Sequence, residues 1–269
     1  MNIEFEYNQG CNKHINQDVY GYNKNFLWVI DGATEVFSNN YLSKLGDVYW
    51  LVNHINKSLM EQDTSLNLQD YVYFAIKKVY DLAMQLAPEI TDIPTNKLPT
   101  YSICCVRYAN NFIEYLCLGD CSLYVSNSPE LRFTDERILP FHLQVNKVKE
   151  YYSHNVELYK KEVLKKVREI KQYINKENGY WIGTLDPEII NHAIKGKVKI
   201  NPSESFLICS DGFRPSIDEA QLVYFNPKDI FDSEKLKEII QKQIITEKKY
   251  LEETEIDISD DKTVLLVRI

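Results

Sequence analysis

Phe26-Leu27-Trp28-Val29-Ile30-Asp31-Gly32 is the stretch on which the reading of this chain turns: five consecutive apolar residues, then Asp-Gly. The run reads as a fully apolar strand. Upstream, Ile3, Phe5 and Tyr7 alternate with Glu4 and Glu6, the period of a second strand. Downstream the period lengthens. Leu45, Val48, Val52, Ile55 and Leu59 keep helical spacing, as do Leu68, Val72, Ile76, Val79 and Leu86, with Asn67 placed as an N-cap and Pro88 as a stop. Strands return at 101–108, 112–118 and 122–126, the first two joined by the turn signal Ala109-Asn110-Asn111. A charged helical segment at about 143–178 follows, then strands near 197–200 and 205–210, a helix near 233–247 and a last strand over 263–269. No repeat or low-complexity linker divides the chain. The pattern predicts one α+β domain over 1–269, a four-layer α-β-β-α sandwich of two mostly antiparallel sheets flanked by helices.

The 269 residues carry 31 Lys and Arg against 39 Asp and Glu, a net charge of −8, with 44% apolar and 26% charged residues. That balance excludes bulk disorder and collagen-like sequence. Apolar runs as short as 26–30 and 264–267 cannot cross a bilayer. No basic region followed by an apolar core opens the chain, so the expectation is a cytoplasmic protein without a signal peptide and without a membrane partner. A pI near 5.3 argues against a nucleic-acid partner. Six cysteines (11, 104, 105, 117, 121 and 209) lack any metal-finger spacing and read as reduced thiols, mostly buried. Glycine is scarce: there are 9, where average usage of about 7% would give roughly 19. Gly32, Gly119 and Gly212 each adjoin an aspartate.

Those aspartates sit at the ends of apolar runs. Asp31 follows 26–30, Asp120 follows 115–118 through Gly119, and Asp211 follows 206–210. Asp260 and Asp261 precede the run at 263–267, and Asp18 precedes Val19-Tyr20. A single Asp-Gly is an ordinary turn signal. Carboxylates delivered to five strand ends can converge, and converging carboxylates repel unless cations lie among them. None of the five histidines pairs at ligand spacing, so the expected cations are oxygen-loving, Mg²⁺ or Mn²⁺. A glycine after the aspartate lets the backbone carbonyl approach a metal unobstructed.

In this order, Asn16-Gln17-Asp18, Trp28-Val29-Ile30-Asp31-Gly32, Leu118-Gly119-Asp120-Cys121-Ser122, Leu207-Ile208-Cys209-Ser210-Asp211-Gly212-Phe213 and Asp260-Asp261-Lys262-Thr263-Val264 resemble the motif series of the metal-dependent protein phosphatases of type 2C. The likeness spans nearly the whole chain, with two helices between the second and third motifs. Gly179-Tyr180-Trp181, Asp186-Pro187-Glu188 and His192-Ala193 resemble a stretch of bacterial members. The resemblance implies a hydrolase that removes phosphate from phosphoserine and phosphothreonine in proteins, opposing a serine/threonine kinase. It implies that Asp31 bridges two metal ions, that the Gly32 carbonyl binds one of them, and that Asp211 and Asp260 complete the first ion's ligands. It further implies that Asp18 holds water in the outer shell and that Asp120 helps bind a third, weaker ion. Two such cations would polarise the phosphoryl group and make hydroxide available near neutral pH.

The chain departs from the family pattern at three points. Lys13 stands where a phosphate-clasping Arg is common, and lysine offers charge without the bidentate fork. Ala33 stands where eukaryotic members carry a histidine. Asp261 stands where Asn usually follows the last metal aspartate, which leaves Asp260 and Asp261 as alternatives, strand phase and spacing favouring Asp260. A cysteine phosphatase is excluded, because Cys209 and Arg214 are separated by four residues rather than five and Cys209 lies inside an apolar strand. The remaining alternative is a non-catalytic regulatory module of the same fold that binds metal or phosphoprotein. The segment at 143–178 is expected either to be a flap beside the metals or to be a solvated surface insertion.

Overall fold

The computed structural model describes residues 1–11, 15–33, 36–37, 40–129, 131–213 and 226–269. Its strands are β1 (Asn2–Gln9), β2 (Val19–Asn23), β3 (Phe26–Gly32), β4 (Tyr101–Ala109), β5 (Phe112–Leu118), β6 (Ser122–Val125), β7 (Arg132–Phe133), β8 (Ile194–Lys199), β9 (Ser205–Cys209) and β10 (Lys262–Arg268). The α-helices are α1 (Asp47–Met60), α2 (Leu68–Leu86), α3 (Leu139–Tyr151), α4 (Val156–Ile170) and α5 (Ser233–Thr254). One sheet runs β1-β10-β9-β6-β7 and the other β2-β3-β4-β5-β8. Among the described residues every strand pairing within the sheets is antiparallel.

The apolar run of β3 shows why four layers form. Successive side chains of a strand point to opposite faces. Phe26, Trp28 and Ile30 therefore meet α1 and α2, through Leu51, Ile55, Tyr71, Val72 and Ile76. Leu27 and Val29 face the other sheet, against Leu123, Phe206, Ile208, Leu265 and Val267. On the far side, Leu207, Cys209, Val264 and Leu266 pack beneath Leu236, Ile239 and Ile240 of α5. The order is helix pair, sheet, sheet, helix, an α+β sandwich as the sequence pattern predicts. Each large apolar side chain taken from water contributes roughly 1.5–3 kcal/mol. Two of the polar tips beneath the helix pair are satisfied: the Trp28 indole Nε1 donates to Asn56 Oδ1 at 2.7 Å, and the Tyr71 hydroxyl donates to the Leu59 carbonyl at 2.5 Å.

Local signals acted as expected at several points. Asn110 and Asn111 both take positive φ (52° and 61°), the two-residue turn that matches hairpin twist. Asn67 caps α2 by accepting the Asp70 amide. Other boundaries moved. Leu45 is exposed and precedes α1, because the Asp47 carboxylate gathers the amides of Tyr41, Leu42 and Ser43 and so starts the helix there. The segment at 143–178 is occupied by two helices, α3, which already begins at Leu139, and α4, parted at 152–155, where Asn155 caps α4 by accepting the Leu158 amide. β8 begins at Ile194 rather than 197; it is an edge strand in which Ile194, Gly196 and Val198 alternate with exposed lysines. No helix among the described residues is long and apolar enough to cross a membrane.

Candidate metal centre

Three carboxylates meet at one rim of the sandwich. Ligand oxygens of Asp31, Asp120 and Asp211 all lie within 4.8 Å of one another. Asp31 ends β3, where it is the register partner of Ser102 in β4. Ser102 Oγ donates to Asp120 Oδ1 at 2.7 Å and accepts the Asp120 amide at 3.3 Å, which draws Asp120, two residues beyond β5, toward Asp31. That approach requires Gly119: its φ is +77°, and a Cβ there would stand 2.3 Å from Ser102 Oγ. Asp211 follows β9, and its amide donates to Asp31 Oδ2 at 3.4 Å across the two sheets. Gly212 next to it could carry no side chain, since a Cβ would lie 1.8 Å from the Asp261 carbonyl oxygen.

Asp18 enters from the start of β2. It is buried, and neither of its oxygens makes a hydrogen bond, although the Ser210 and Thr263 hydroxyls are near enough to ease its charge. Burial first, then the charges of Asp261 and Asp260, push its pKa up to about 8. The Asp31 carboxyl is driven well above the carboxylate range by burial and then by Asp18, Asp211, Asp120 and Asp260. A small part of Asp31 still faces solvent, but its carboxyl is enclosed by protein and by other carboxyls. These groups share one electrostatic problem, which protons or cations relieve. An all-oxygen donor set and an orphaned buried carboxylate beside it fit hard divalent cations.

The other residues singled out from sequence divide. Asp260 is exposed, lies outside the three-carboxylate group, and still raises the pKa of Asp31 and Asp18. Asp261 is buried and committed elsewhere: Oδ1 accepts the Cys11 amide and Oδ2 the Gln17 amide, both at 2.7 Å. It thereby ties the segment leading into Asp18. Gly32 donates its amide to the Gln17 carbonyl at 3.1 Å. Lys13 and Arg214 lie outside the described residues. Ala33 packs on the cluster of Ile138, Ile170, Ile174, Tyr180 and Ile182, as do Phe141 and Val145 of α3. All six cysteines are free, and burial pushes the Cys209 thiol up to about 12, the opposite of a nucleophilic thiolate.

Sequence reasoning missed Ser102, which positions Asp120, and His142 of α3, whose Nε2 is 3.5 Å from Asp120 Oδ2. A lone serine in a strand and a lone histidine in a charged helix carry no spacing signal. The packing of α3 against the cluster of Ile170, Ile174, Tyr180 and Ile182 holds His142 at the rim.

No protein-family model and no curated sequence matches the chain; the likeness to known proteins is one of structure. The fold is that of the type 2C serine/threonine phosphatases. A structure described as PppA, a key regulatory component of T6SS in Pseudomonas aeruginosa, superposes with a TM-score of 0.57 at 15% identity, covering 98% of this chain and 96% of that one. The catalytic domain of the serine/threonine protein phosphatase PstP, in complex with 2 manganese ions, gives 0.56 at 12% identity, covering 97% and 95%. Serine/threonine phosphatase Stp1 from Staphylococcus aureus gives 0.55 at 12%, covering 100% and 96%.

Proposed function

We propose that this chain is a Mn²⁺- or Mg²⁺-dependent protein phosphatase acting on phosphoserine and phosphothreonine, in opposition to a serine/threonine kinase. The observation that carries the reading is the convergence of Asp31, Asp120 and Asp211 beside the orphaned Asp18. Asp31, with the Gly32 carbonyl, Asp211 and Asp260, would hold two ions, and Asp120 a third. Bound there, the ions would supply Lewis-acid activation of the phosphoryl group and hydroxide near neutral pH. Asp18 would orient water from its buried position, where burial and neighbouring carboxylates raise its pKa; cations held nearby would relieve that repulsion. Lys13 attracts the phosphate dianion with charge but without a fork. With Ala33 in place of a histidine, the leaving seryl or threonyl oxygen takes its proton from water or from another group. The domain is taken as a single unit over 1–269, with 143–178 as a flap beside the metals. Free cysteines fit a reducing, cytoplasmic compartment.

A second reading, a regulatory module of the same fold that binds metal or phosphoprotein without turnover, draws on the P. aeruginosa neighbour, described as regulatory. One experiment separates the two: hydrolysis of a phosphoserine or phosphothreonine peptide with Mn²⁺ and with EDTA, beside Asp31→Asn and Asp211→Asn. Catalysis requires turnover with Mn²⁺, none with EDTA, and loss in both variants. Metal binding without turnover by the intact chain selects the regulatory module, and metal-independent turnover overturns the metal-based reading.

A further inference from the structure

We propose that His142 is a nitrogen ligand for a divalent cation shared with Asp120, so that the α3–α4 hairpin is fastened to the metal centre by the metal itself. The proposal rests on the metal-dependent reading above and concerns which groups hold the outermost ion. Asp120 is buried and its two oxygens are differently engaged: Oδ1 accepts from Ser102 Oγ at 2.7 Å, while Oδ2 turns toward His142 Nε2 at 3.5 Å. A charge-assisted hydrogen bond between nitrogen and carboxylate closes to about 2.7–2.9 Å, so this pair stands too wide to be satisfied by direct contact. Two ligand atoms at right angles on an ion with about 2.1 Å bonds stand roughly 3 Å apart, near the spacing observed.

The backbone that presents His142 is held on both flanks. Phe141, the preceding residue, packs on Tyr180 with ring centroids 5.0 Å apart and on Tyr173 at 5.5 Å. Phe141 and Val145 also pack on the cluster of Ile138, Ile170, Ile174, Tyr180 and Ile182, which Ala33, the residue after Gly32, joins as well. From α4, Arg168 Nε and Nη2 donate to the Val36 carbonyl at 3.2 and 3.1 Å. Arg137, just before α3, donates to the His192 carbonyl at 2.6 Å and pairs with the buried carboxylate of Asp135. The hairpin is therefore fastened to the body of the fold through Arg168, Arg137 and this cluster, with the imidazole at the rim and its side chain 31% exposed, open to an ion arriving from solvent.

The chemistry gives this arrangement a selectivity that carboxylates alone lack. Imidazole binds first-row transition ions, Mn²⁺ the weakest of them, whereas Mg²⁺ takes oxygen ligands and keeps water. The cation at Asp120 and His142 should discriminate against Mg²⁺, while the ions at Asp31 and Asp211 do not.

The test is calorimetric titration of the full chain with Mn²⁺ and with Mg²⁺, for the wild type, His142→Ala and Asp31→Asn, together with pulsed electron paramagnetic resonance of the Mn²⁺-loaded wild type. The expected result is a ¹⁴N coupling to bound Mn²⁺ that disappears in His142→Ala. The weakest Mn²⁺ site should lose at least about tenfold in affinity in that variant, with the Mg²⁺ isotherm unchanged. Wild-type Mn²⁺ without ¹⁴N coupling, or a coupling that survives in His142→Ala, overturns the assignment while the carboxylate centre stands. Failure of the wild type to bind Mn²⁺, or binding that Asp31→Asn leaves intact, overturns the centre and the assignment together.

Discussion

Removing the charge of Asp18 should stabilise the metal-free protein while weakening its hold on metal. In the folded chain burial and the neighbouring Asp261 and Asp260 raise this carboxyl to about 8, against an ordinary value near 3.9 in the unfolded chain. Because the folded state holds the proton more tightly, stability is fully present below about pH 4 and is lost as pH rises toward 8. At pH 7 the loss spans roughly three pKa units at 1.36 kcal/mol each, or about 4 kcal/mol. Asp18→Asn removes that pH-linked loss. Its amide stays buried without partners, a cost of about 1–3 kcal/mol, so a net gain of about 2 kcal/mol remains at pH 7. For a chain of this length each kcal/mol shifts Tm by about 2–4 °C, and the variant should melt about 4–8 °C higher in EDTA at pH 7. Near pH 4 the order should invert, since only the amide's cost is left. Saturating Mn²⁺ should raise the wild type more than the variant. Thermal unfolding followed by circular dichroism from pH 4 to 8, with EDTA and with Mn²⁺, measures all of this. A variant that melts lower than wild type at pH 7 in EDTA, or parallel pH profiles for the two proteins, would refute the reasoning.

Three further outcomes are expected. Lys262 and Glu247 form an almost wholly buried ion pair, 2.8 Å apart, that joins β10 to α5; Lys262→Met should cost about 3–5 kcal/mol in urea unfolding by stranding the carboxylate, and Lys262→Met with Glu247→Leu should recover most of it. Asp261→Ala, which frees the Cys11 and Gln17 amides, should lose about 3–5 kcal/mol, whereas Asp260→Ala should change stability by no more than about 0.5 kcal/mol and weaken Mn²⁺ binding by calorimetry; the reverse pattern would make Asp261 the ligand. Lys13→Arg should lower KM for a phosphopeptide, and an unchanged or raised KM would mean that Lys13 does not touch phosphate.

What the sequence made legible is what local periodicity encodes. The five apolar residues of β3 specify burial on both faces, and the helical stripes of α1 and α2 specify what covers one of them. The convergence of Asp31, Asp120 and Asp211 was readable because three strands end in the same way, with a carboxylate beside a glycine. What stayed hidden depends on long-range placement. Asp260 and Asp261 are adjacent and chemically identical in sequence, and only the amides of Cys11 and Gln17, more than 240 residues away, separate their roles. The split of 143–178 into α3 and α4 turns on one capping side chain, Asn155. His142 gains meaning only once the fold brings its Nε2 to 3.5 Å from Asp120 Oδ2, a proximity that no spacing along the chain encodes.

The central claim, that these carboxylates form a two-metal centre, is tested most directly by anomalous diffraction from crystals soaked in Mn²⁺. The account predicts two peaks about 3.5–4 Å apart between the carboxylates of Asp31 and Asp211. A soaked crystal with no peak among those residues, or with a lone ion that does not touch Asp31, would contradict it.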